Sequence, residues 1–433
     1  MRLKILYVNP WIHDFAAYNF WARPLGLLRV AEYLSPFDTE TCFIDCMESV
    51  DVKANGSGRF RAEIIEKPAK LKGVPRFYKR YGIALEDFFF QVKAAMPFDM
   101  VLITAIMSYW YPGVQEAIEI IRRIAGDVPV ILGGIYPTLY HDHAAEMSGA
   151  DFIYKGRIDE GLLFSLSTFG FRLRKKRNRL PYYRLNLYQE QPFAALMTAT
   201  GCPFQCSYCA SSLLASDHKK RFPEDVVREI VDLSDMGARD FAFYDDALLV
   251  DSKNHIKPIL RALLETGRRA RFHVPNGLHA RFLDEEIASL MKAADFRTIR
   301  LGLETVNRDR QKDTGDKVAN EDLARAVKHL KKQGFTKREI GVYLMYGLPG
   351  QGLEEVREGI RFLKSLGVSI HLSEFSPMRG TLCWDELVGL GIISDGMDPL
   401  LTNNTVFSLL YSGYGSGDSE QMRLDVKAYN RQR

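Results

Sequence analysis

The 433-residue sequence lacks the features that define several common protein classes. No stretch reaches the roughly 20 apolar residues that a membrane-spanning helix requires. The beginning, MRLKILYVNPW, lacks the long apolar region of a signal peptide because Asn9 and Pro10 interrupt the run. Only six cysteines are present, and three of them lie close together, so a dispersed disulfide framework is excluded. We therefore expect a cytoplasmic protein without a membrane span.

A strong excess of charge of one sign is also absent. The chain has 58 Lys and Arg residues against 54 Asp and Glu residues, a net charge of +4. A charge this small gives no whole-chain field that would attract nucleic acid or an anionic membrane. One basic stretch, FRLRKKRNRLPYYR (171–184), has no apolar periodicity and is typical of a solvated linker. The sequence therefore indicates no nucleic-acid partner.

Short apolar runs and helical patterns alternate over the N-terminal part of the chain. Five runs end in turn residues and predict buried strands: LKILYVN (3–9), TETCFID (39–45), MVLITAI (100–106), PVILGGI (129–135) and DFIYKG (151–156). Between them, RPLGLLRVAEYL and GVQEAIEIIRRIAG carry apolar residues at the helical period. This alternation predicts an α/β fold with a doubly wound, Rossmann-like parallel sheet, whose ligands lie beyond the carboxyl ends of the strands.

A second alternation begins at Pro192. Strand patterns near 193–199, 238–244, 270–274, 297–303, 339–346 and 368–374 predict six strand–helix units. Six units are typical of an open or partial barrel, whose chemistry gathers at the carboxyl ends of its strands. We therefore predict a doubly wound domain at 1–165, a basic linker at 166–190, a barrel at 191–395 and a C-terminal tail at 396–433.

Three cysteines follow the first predicted barrel strand in the stretch TGCPFQCSYCA. Cys202, Cys206 and Cys209 have C-x3-C-x2-C spacing. A structural zinc ion normally takes four protein ligands, but the sequence has no second C-x2-C pair. A 4Fe-4S cluster held by three thiolates leaves one iron open to an external ligand. A zinc site and three ordinary thiols remain the alternative interpretations.

The stretch GCPFQCSYC resembles the signature of the radical S-adenosylmethionine (SAM) enzymes, with Tyr208 in its aromatic position. The resemblance implies a partial barrel, (β/α)6, and a 4Fe-4S cluster whose open iron binds SAM. It also implies reductive cleavage of SAM to a 5'-deoxyadenosyl radical, with electrons from a reductant such as flavodoxin or ferredoxin. A non-catalytic iron-sulfur module is the alternative, but it would leave the further SAM-type segments without a purpose.

Segments that end the later barrel strands resemble the parts of this family that bind SAM. They are FYDDALL, VPNGLHAR, GLETVN and YGLPGQ. The resemblance implies that the following residues contact SAM: Tyr208 of the cysteine motif, and Asp245, Asp246, Asn276, Arg281, Glu304, Gly347 and Gly350. Each Asp could instead cap a helix, and each Gly could serve only a turn.

The N-terminal segments NPW, NFWARPLGLLRVAEYL and GGIYPT resemble the cobalamin-binding domain that precedes many radical SAM barrels. The resemblance implies cobalamin contacts from Asn9, Ser108, Gly133 and Gly134. The D-x-H-x-x-G loop that supplies a histidine ligand to cobalt is absent, because NPWIHDF has its His and Asp in the wrong order. Bound cobalamin is therefore expected to lack a protein histidine on cobalt. A domain that no longer binds cobalamin is the alternative.

Together these resemblances imply a radical SAM enzyme that methylates an unactivated carbon with cobalamin. If the N-terminal domain is degenerate, the alternative is a cobalamin-free radical cyclisation, rearrangement or oxidation. No motif identifies the substrate. Cys383 follows the sixth predicted barrel strand and could donate a hydrogen atom to a radical, although a small buried hydrophobic residue is the commoner role for such a cysteine.

Overall fold

The computed structural model describes residues 2–48, 50–53, 57–171, 173–176, 182–411, 413–414 and 416–432. The chain divides into two compact units: Met1–Glu190 with Asp398–Leu401, and Gln191–Met397 with Thr402–Arg433. Part of the predicted basic linker, residues 172 and 177–181, lies outside the described residues. Within the described ranges, no helix combines the length and apolar character needed to cross a membrane.

The first unit is built on a five-stranded parallel sheet. Its strands, in chain order, are Leu3–Asn9, Thr39–Asp45, Met100–Ala105, Val130–Gly134 and Phe152–Ile153. They lie in the order fifth, fourth, third, first, second, and every pairing is parallel. The order reverses between the first and third strands, where a doubly wound sheet places its ligand. The predicted doubly wound sheet is confirmed.

Helices connect these strands, and their apolar faces supply the core. They span Leu25–Leu34, Leu85–Ala95, Tyr111–Ala125, Ile135–Leu139, His141–Met147 and Glu160–Ser167. In the first helix, Leu27, Ala31 and Leu34 recur at helical spacing and join one buried cluster with Ile5 and Leu102 of the sheet.

Short antiparallel strands in the first unit were not predicted. Ile12–Asp14, Ala62–Ile64 and Lys79–Tyr81 form a three-stranded sheet, and Val50–Val52 pairs with Gly58–Phe60. Each strand has three residues, which is too short for an alternating apolar pattern to stand out in the sequence.

The second unit contains a six-stranded parallel sheet in chain order. Its strands, called the first to sixth barrel strands below, are Phe193–Leu196, Asp240–Phe243, Arg271–His279, Phe296–Glu304, Ile340–Tyr346 and Ser369–Glu374. A separate two-stranded ladder joins Ala199–Thr200 to Lys219–Lys220. The sequential order of the six strands agrees with the predicted partial barrel.

Helices alternate with the barrel strands. They span Ser211–Leu214, Pro223–Asp235, Ile256–Glu265, Glu285–Ala293, Arg308–Asp313, Asn320–Lys332, Leu353–Ser365, Leu382–Gly389, Asn404–Tyr411 and Ser416–Arg431. The last helix lies along the sixth strand. There Asn430 accepts a hydrogen bond from the Ile370 N–H at 2.9 Å and donates one to the Ile370 carbonyl at 2.7 Å. This side chain satisfies backbone groups that an edge strand would otherwise expose.

Candidate functional site

The three motif cysteines lie in the loop that follows the first barrel strand. All three are free thiols that remain partly accessible. The Cys209 N–H donates a hydrogen bond to the Cys206 carbonyl at 3.0 Å, so these two residues share a tight turn. Gly201 begins the loop at a φ of +75°, and a Cβ there would lie 2.5 Å from the Asp217 carbonyl oxygen. The loop therefore requires glycine at this position.

The thiols affect one another electrostatically. Burial raises the pKa of Cys202 to about 11, and the neighbouring Cys206 and Cys209 add to the shift. Three thiolates in one loop repel unless a positive centre compensates them, and iron in a cluster supplies such a centre. Among the described residues, no three His, Cys, Asp or Glu side chains form a group that could hold a single metal ion. The donor set of three neighbouring thiols fits a 4Fe-4S cluster.

A partly buried ion pair lies beside the cysteine loop. Lys317 Nζ lies 2.6 Å from Glu304 Oε1 and 5.5 Å from the centre of the Tyr208 ring. Burial raises the pKa of Cys206, whereas the positive charge of Lys317 lowers it. Gly315 also packs closely against the cysteine loop, since a Cβ there would lie 3.0 Å from the Cα of Cys206. Sequence analysis predicted Tyr208 and Glu304 but missed Lys317 and Gly315, because DTGDK matches no motif.

Glu304 occupies a strained position at the end of the fourth barrel strand. Its φ is +66°, and the pairing with the fifth strand shifts register between Gly302 and Glu304. Left-handed backbone at a residue other than glycine carries a cost and is common at functional sites. The bulge turns the carboxylate toward Lys317.

The two predicted aspartates at the end of the second strand have different surroundings. Asp245 is buried, and its Oδ1 accepts hydrogen bonds from the Thr198 N–H at 2.9 Å, the Thr198 hydroxyl at 2.6 Å and the Ala199 N–H at 2.6 Å. Asp246 is exposed and interacts with Ser211 and with Cys202. Asp245 therefore anchors the chain that leads into the cysteine loop, and Asp246 remains accessible to a ligand.

The other predicted SAM contacts mostly have partners within the barrel. Asn276 donates its amide hydrogen to the Tyr244 carbonyl at 2.9 Å. Arg281 donates to the Asp316 carbonyl at 2.6 Å and to Asp322 at 3.3 Å. Gly347 and Gly350 have φ values of +85° and +64°, so both positions favour glycine for the turn itself.

Cys383 packs against the cysteine loop. Its Sγ lies 3.4 Å from the Ser207 hydroxyl, and its N–H donates to the Ser207 carbonyl at 2.9 Å. Ser207 is the residue between Cys206 and the aromatic Tyr208. Cys383 is buried, and burial raises its pKa. Cys383 is therefore a neutral thiol that packs against the cysteine loop and stabilises it.

At the edge of the first unit's sheet, Asn9 is held by the fold itself. Its amide donates to Asp45 Oδ1 at 2.7 Å, and both side chains are buried. The same carboxylate accepts the Met47 N–H at 2.9 Å and the Tyr188 hydroxyl at 2.5 Å. The amide of Asn9 therefore braces the ends of the first and second strands through its bond to Asp45.

Ser108, Gly133 and Gly134, the other predicted cobalamin contacts, differ in how much space for a ligand lies beside them. Ser108 is buried in a short turn after the third strand. Gly134 has a φ of +110°, and a Cβ there would lie 2.5 Å from the Ala105 carbonyl oxygen. At Gly133 the nearest atom to such a Cβ is the Tyr154 carbonyl oxygen at 3.8 Å. Gly134 is therefore needed for strand contact, and Gly133 leaves room for a ligand.

His13, which the sequence predicted not to bind cobalt, is engaged elsewhere. Its Nε2 lies 2.9 Å from Glu116 Oε2, and Glu116 also accepts a hydrogen bond from Arg80 at 2.7 Å. The His13 side chain is buried. The neighbouring Asp14 accepts the Trp110 indole N–H at 2.7 Å.

Comparison with known sequences identifies the barrel. Residues 196–363 match the Radical SAM superfamily. The chain carries a radical SAM domain. This domain implies a 4Fe-4S cluster and SAM as cofactors, in agreement with the predicted family. The matched range includes all three cysteines, both aspartates and the Glu304–Lys317 pair.

Two curated relatives match the chain. Uncharacterized methyltransferase PH0819 of Pyrococcus horikoshii is 27% identical over 207 residues, which are 47% of this chain and 43% of the relative. The hopanoid C-2 methylase of Rhodopseudomonas palustris is 24% identical over 208 residues, which are 44% of this chain and 40% of the relative. The chain thus spans less than half the length of each.

Two solved structures resemble most of the chain in fold. The radical SAM methyltransferase TsrM from Kitasatospora setae, solved with tryptophan and a SAM analogue, matches with a TM-score of 0.67 at 18% identity, covering 90% of this chain and 76% of TsrM. The cobalamin-dependent SAM radical enzyme OxsB, solved with aqua-cobalamin, matches with a TM-score of 0.57 at 12% identity, covering 98% of this chain and 61% of OxsB. At these identities the likeness establishes the fold, a Rossmann-like sheet followed by a radical SAM barrel.

Proposed function

We propose that this protein is a radical SAM enzyme that methylates an unactivated carbon with the help of cobalamin. The observation that carries the proposal is the set of three free, partly accessible thiols in one loop at the carboxyl end of the first barrel strand. When bound, the cluster and SAM supply a 5'-deoxyadenosyl radical, and cobalamin supplies the methyl group. The methyltransferase relatives support the choice of reaction.

In this proposal, different barrel residues bind the cluster and SAM. Cys202, Cys206 and Cys209 ligate the cluster. The exposed Asp246, next to Cys202, is the carboxylate that can accept hydrogen bonds from an ammonium group such as the amino group of SAM. Lys317 offsets negative charge at the cysteine loop, and its ion pair with Glu304 fixes its position.

The first unit is proposed to hold the nucleotide tail of cobalamin at the ends of its third and fourth strands. The open face of Gly133 permits close approach to the backbone, and the Ser108 hydroxyl can hydrogen-bond a polar group nearby. Because Glu116 holds the Nε2 of His13, cobalt is expected to have no histidine ligand from the chain.

A second candidate function is radical chemistry without cobalamin. Two contacts at the edge of the N-terminal sheet favour this alternative. The Asn9 amide is bonded to Asp45, and the space beside Gly134 is filled by the backbone of Ala105. Two of the four predicted cobalamin contacts thus have roles in the fold.

The test is anaerobic reconstitution of the whole protein followed by addition of hydroxocobalamin. We expect 5'-deoxyadenosine to form from SAM under reduction, and cobalamin to bind with a spectrum that lacks histidine ligation. Gly133→Leu should block cobalamin binding and leave SAM cleavage intact. Gly73→Leu is the matched control, since no atom lies within 4 Å of a Cβ there.

The outcomes separate the two candidates. SAM cleavage without any uptake of cobalamin would replace methylation with cobalamin-free chemistry. A reduced protein that leaves SAM uncleaved would overturn both. Gly134 is unsuitable for this test, because any side chain there collides with the Ala105 backbone and disturbs the sheet.

A further inference from the structure

We propose that the barrel interior contains a binding site for a carboxylate group, formed by Arg300 of the fourth strand and His371 of the sixth and lined by Tyr343 of the fifth. None of these residues belongs to the cysteine loop or to the SAM-type segments. All three side chains are partly accessible rather than sealed in the core.

The strand register brings these side chains to one face. Gly302, Tyr343 and His371 are paired across the fourth, fifth and sixth strands, and Arg300 pairs with Gly341 two residues earlier. Residues two apart on a strand share a face of the sheet. The ring centres of Tyr343 and His371 lie 5.7 Å apart.

Gly341 marks the point where the polar atoms meet. A Cβ on this glycine would lie 2.6 Å from His371 Nε2 and 2.8 Å from one terminal guanidinium nitrogen of Arg300. Both nitrogens therefore sit over the glycine and close to each other. A larger residue at Gly341 would occupy the space that they share.

Arg300 has a positive charge that no carboxylate in the described part of the chain balances by an ion pair. Among the described residues, its guanidinium donates only to the carbonyl oxygens of Ile299 at 3.2 Å and Glu339 at 3.4 Å. Asp240, on the second strand, is already bonded to Arg271 and His273. Because no carboxylate among the described residues pairs with this partly buried charge, a bound anion would stabilise the arrangement.

The second donor is a neutral imidazole. Nε2 of His371 is buried and has no hydrogen-bond partner among the described residues. Burial, with the nearby charge of Arg300, lowers the pKa of His371 to about 4, so the ring is uncharged at neutral pH. One guanidinium and one neutral imidazole, whose Nε2 donates in the tautomer that carries its proton there, match the single charge of a carboxylate better than the double charge of a phosphate.

The position of the site suggests what kind of substrate carries this carboxylate. From Arg300 to Glu304 the strand rises about 13 Å at the usual spacing per residue. A substrate anchored at Arg300 and reacting near the Glu304–Lys317 pair would carry its carboxylate far from the reacting carbon. Assigning the carboxylate to the substrate rests on the proposed function, whereas the site itself does not.

The test is a titration of the full-length protein, with its histidines labelled at Cε1 with ¹³C, by sodium acetate and separately by inorganic phosphate. His371→Asn identifies the resonance among the nine histidines. We expect a saturable shift of the His371 signal with acetate. Arg300→Met should weaken acetate binding roughly tenfold or more, as expected for loss of a charge-assisted hydrogen bond, and Arg300→Lys should retain part of it.

The matched control is Arg297→Met, which removes an exposed arginine from the same strand. It should leave acetate binding unchanged, and thermal unfolding should confirm that each variant is folded. No saturable shift, or equal affinities for acetate in the wild type and Arg300→Met, would overturn the site. Tighter binding of phosphate than of acetate would overturn the carboxylate assignment. The experiment uses neither SAM nor cobalamin, so its failure is distinct from failure of the proposed function.

Discussion

At the carboxyl ends of their strands, the barrel keeps its three motif cysteines and Asp246 accessible, whereas in the N-terminal sheet Asn9 and Asp45 are buried and bonded to each other. The three barrel cysteines are partly open, and Asp246 is exposed. In the N-terminal sheet, Asn9 and Asp45 are both buried in a mutual hydrogen bond. The same topological position is thus accessible to a ligand in one sheet and used for bracing in the other.

The difference shows that position at a strand end is only part of a site. Parallel strands bring their carboxyl ends to one edge in both units. A side chain at that edge can meet a ligand only when the fold leaves some of its polar atoms accessible. The cysteines and Asp246 are accessible, whereas Asn9 and its partner Asp45 are buried.

The largest effect is expected from the cysteine loop. Replacing Cys202, Cys206 and Cys209 together by alanine should abolish the absorption of the reconstituted cluster and all formation of 5'-deoxyadenosine. Cys42→Ala, at a partly accessible cysteine in the other unit, is the control and should behave like the wild type. Retention of about four irons per chain in the triple variant would contradict the ligand assignment.

The next effect should separate the two adjacent aspartates. Asp245→Ala leaves two backbone N–H groups and the Thr198 hydroxyl without their shared acceptor, so the free energy of unfolding should fall by about 3 kcal/mol. Asp246→Ala should change it by less than about 0.5 kcal/mol but weaken SAM binding roughly tenfold. Denaturant unfolding and SAM titration measure the two effects. Equal losses of stability would contradict the distinction.

Asp245 should also make stability depend on pH. Burial raises its pKa in the folded protein from 3.8 to about 6, so the folded state holds a proton that the unfolded state has lost between these values. This contribution is complete below about pH 4 and is lost as the pH rises through 6, by roughly 3 kcal/mol in all. Unfolding of the wild type should therefore become easier over this range relative to Asp245→Asn, which does not titrate. A constant difference would show that Asp245 stays ionised.

The sequence was enough to predict the strands of both parallel sheets, because most of them are short apolar runs bounded by turn residues. It could not separate Asp245 from Asp246. Adjacent residues near a strand end point in opposite directions, and only the packing shows that one of them meets Thr198. Lys317 was missed for a similar reason, since its place beside Tyr208 arises from the fold of the loop after the fourth strand.

A smaller effect is expected from the charges beside the cluster. Lys317→Met removes a positive charge near Cys206. The loss of this charge makes an added electron less favourable, so the midpoint potential of the cluster should fall. Glu304→Gln should raise it, and both shifts should be on the order of tens of millivolts. A redox titration followed by electron paramagnetic resonance in the absence of SAM measures them, with the exposed Lys312→Met as control. Shifts of the same sign in both variants would contradict an electrostatic role.

The smallest effect on a cofactor is expected at His13, in the first unit. His13→Ala removes a buried ring and one partner of Glu116, which keeps Arg80, so the unfolding free energy should fall by about 2 kcal/mol. The absorption spectrum of bound hydroxocobalamin should stay unchanged, because Nε2 of His13 is already occupied. His141→Ala, at an exposed histidine of the same unit, is the control. A spectrum altered by His13→Ala alone would mean that this histidine leaves Glu116 to reach cobalt. The buried contacts of the N-terminal sheet would then be a resting arrangement that a ligand displaces, and the contrast with the barrel would hold only in the absence of that ligand.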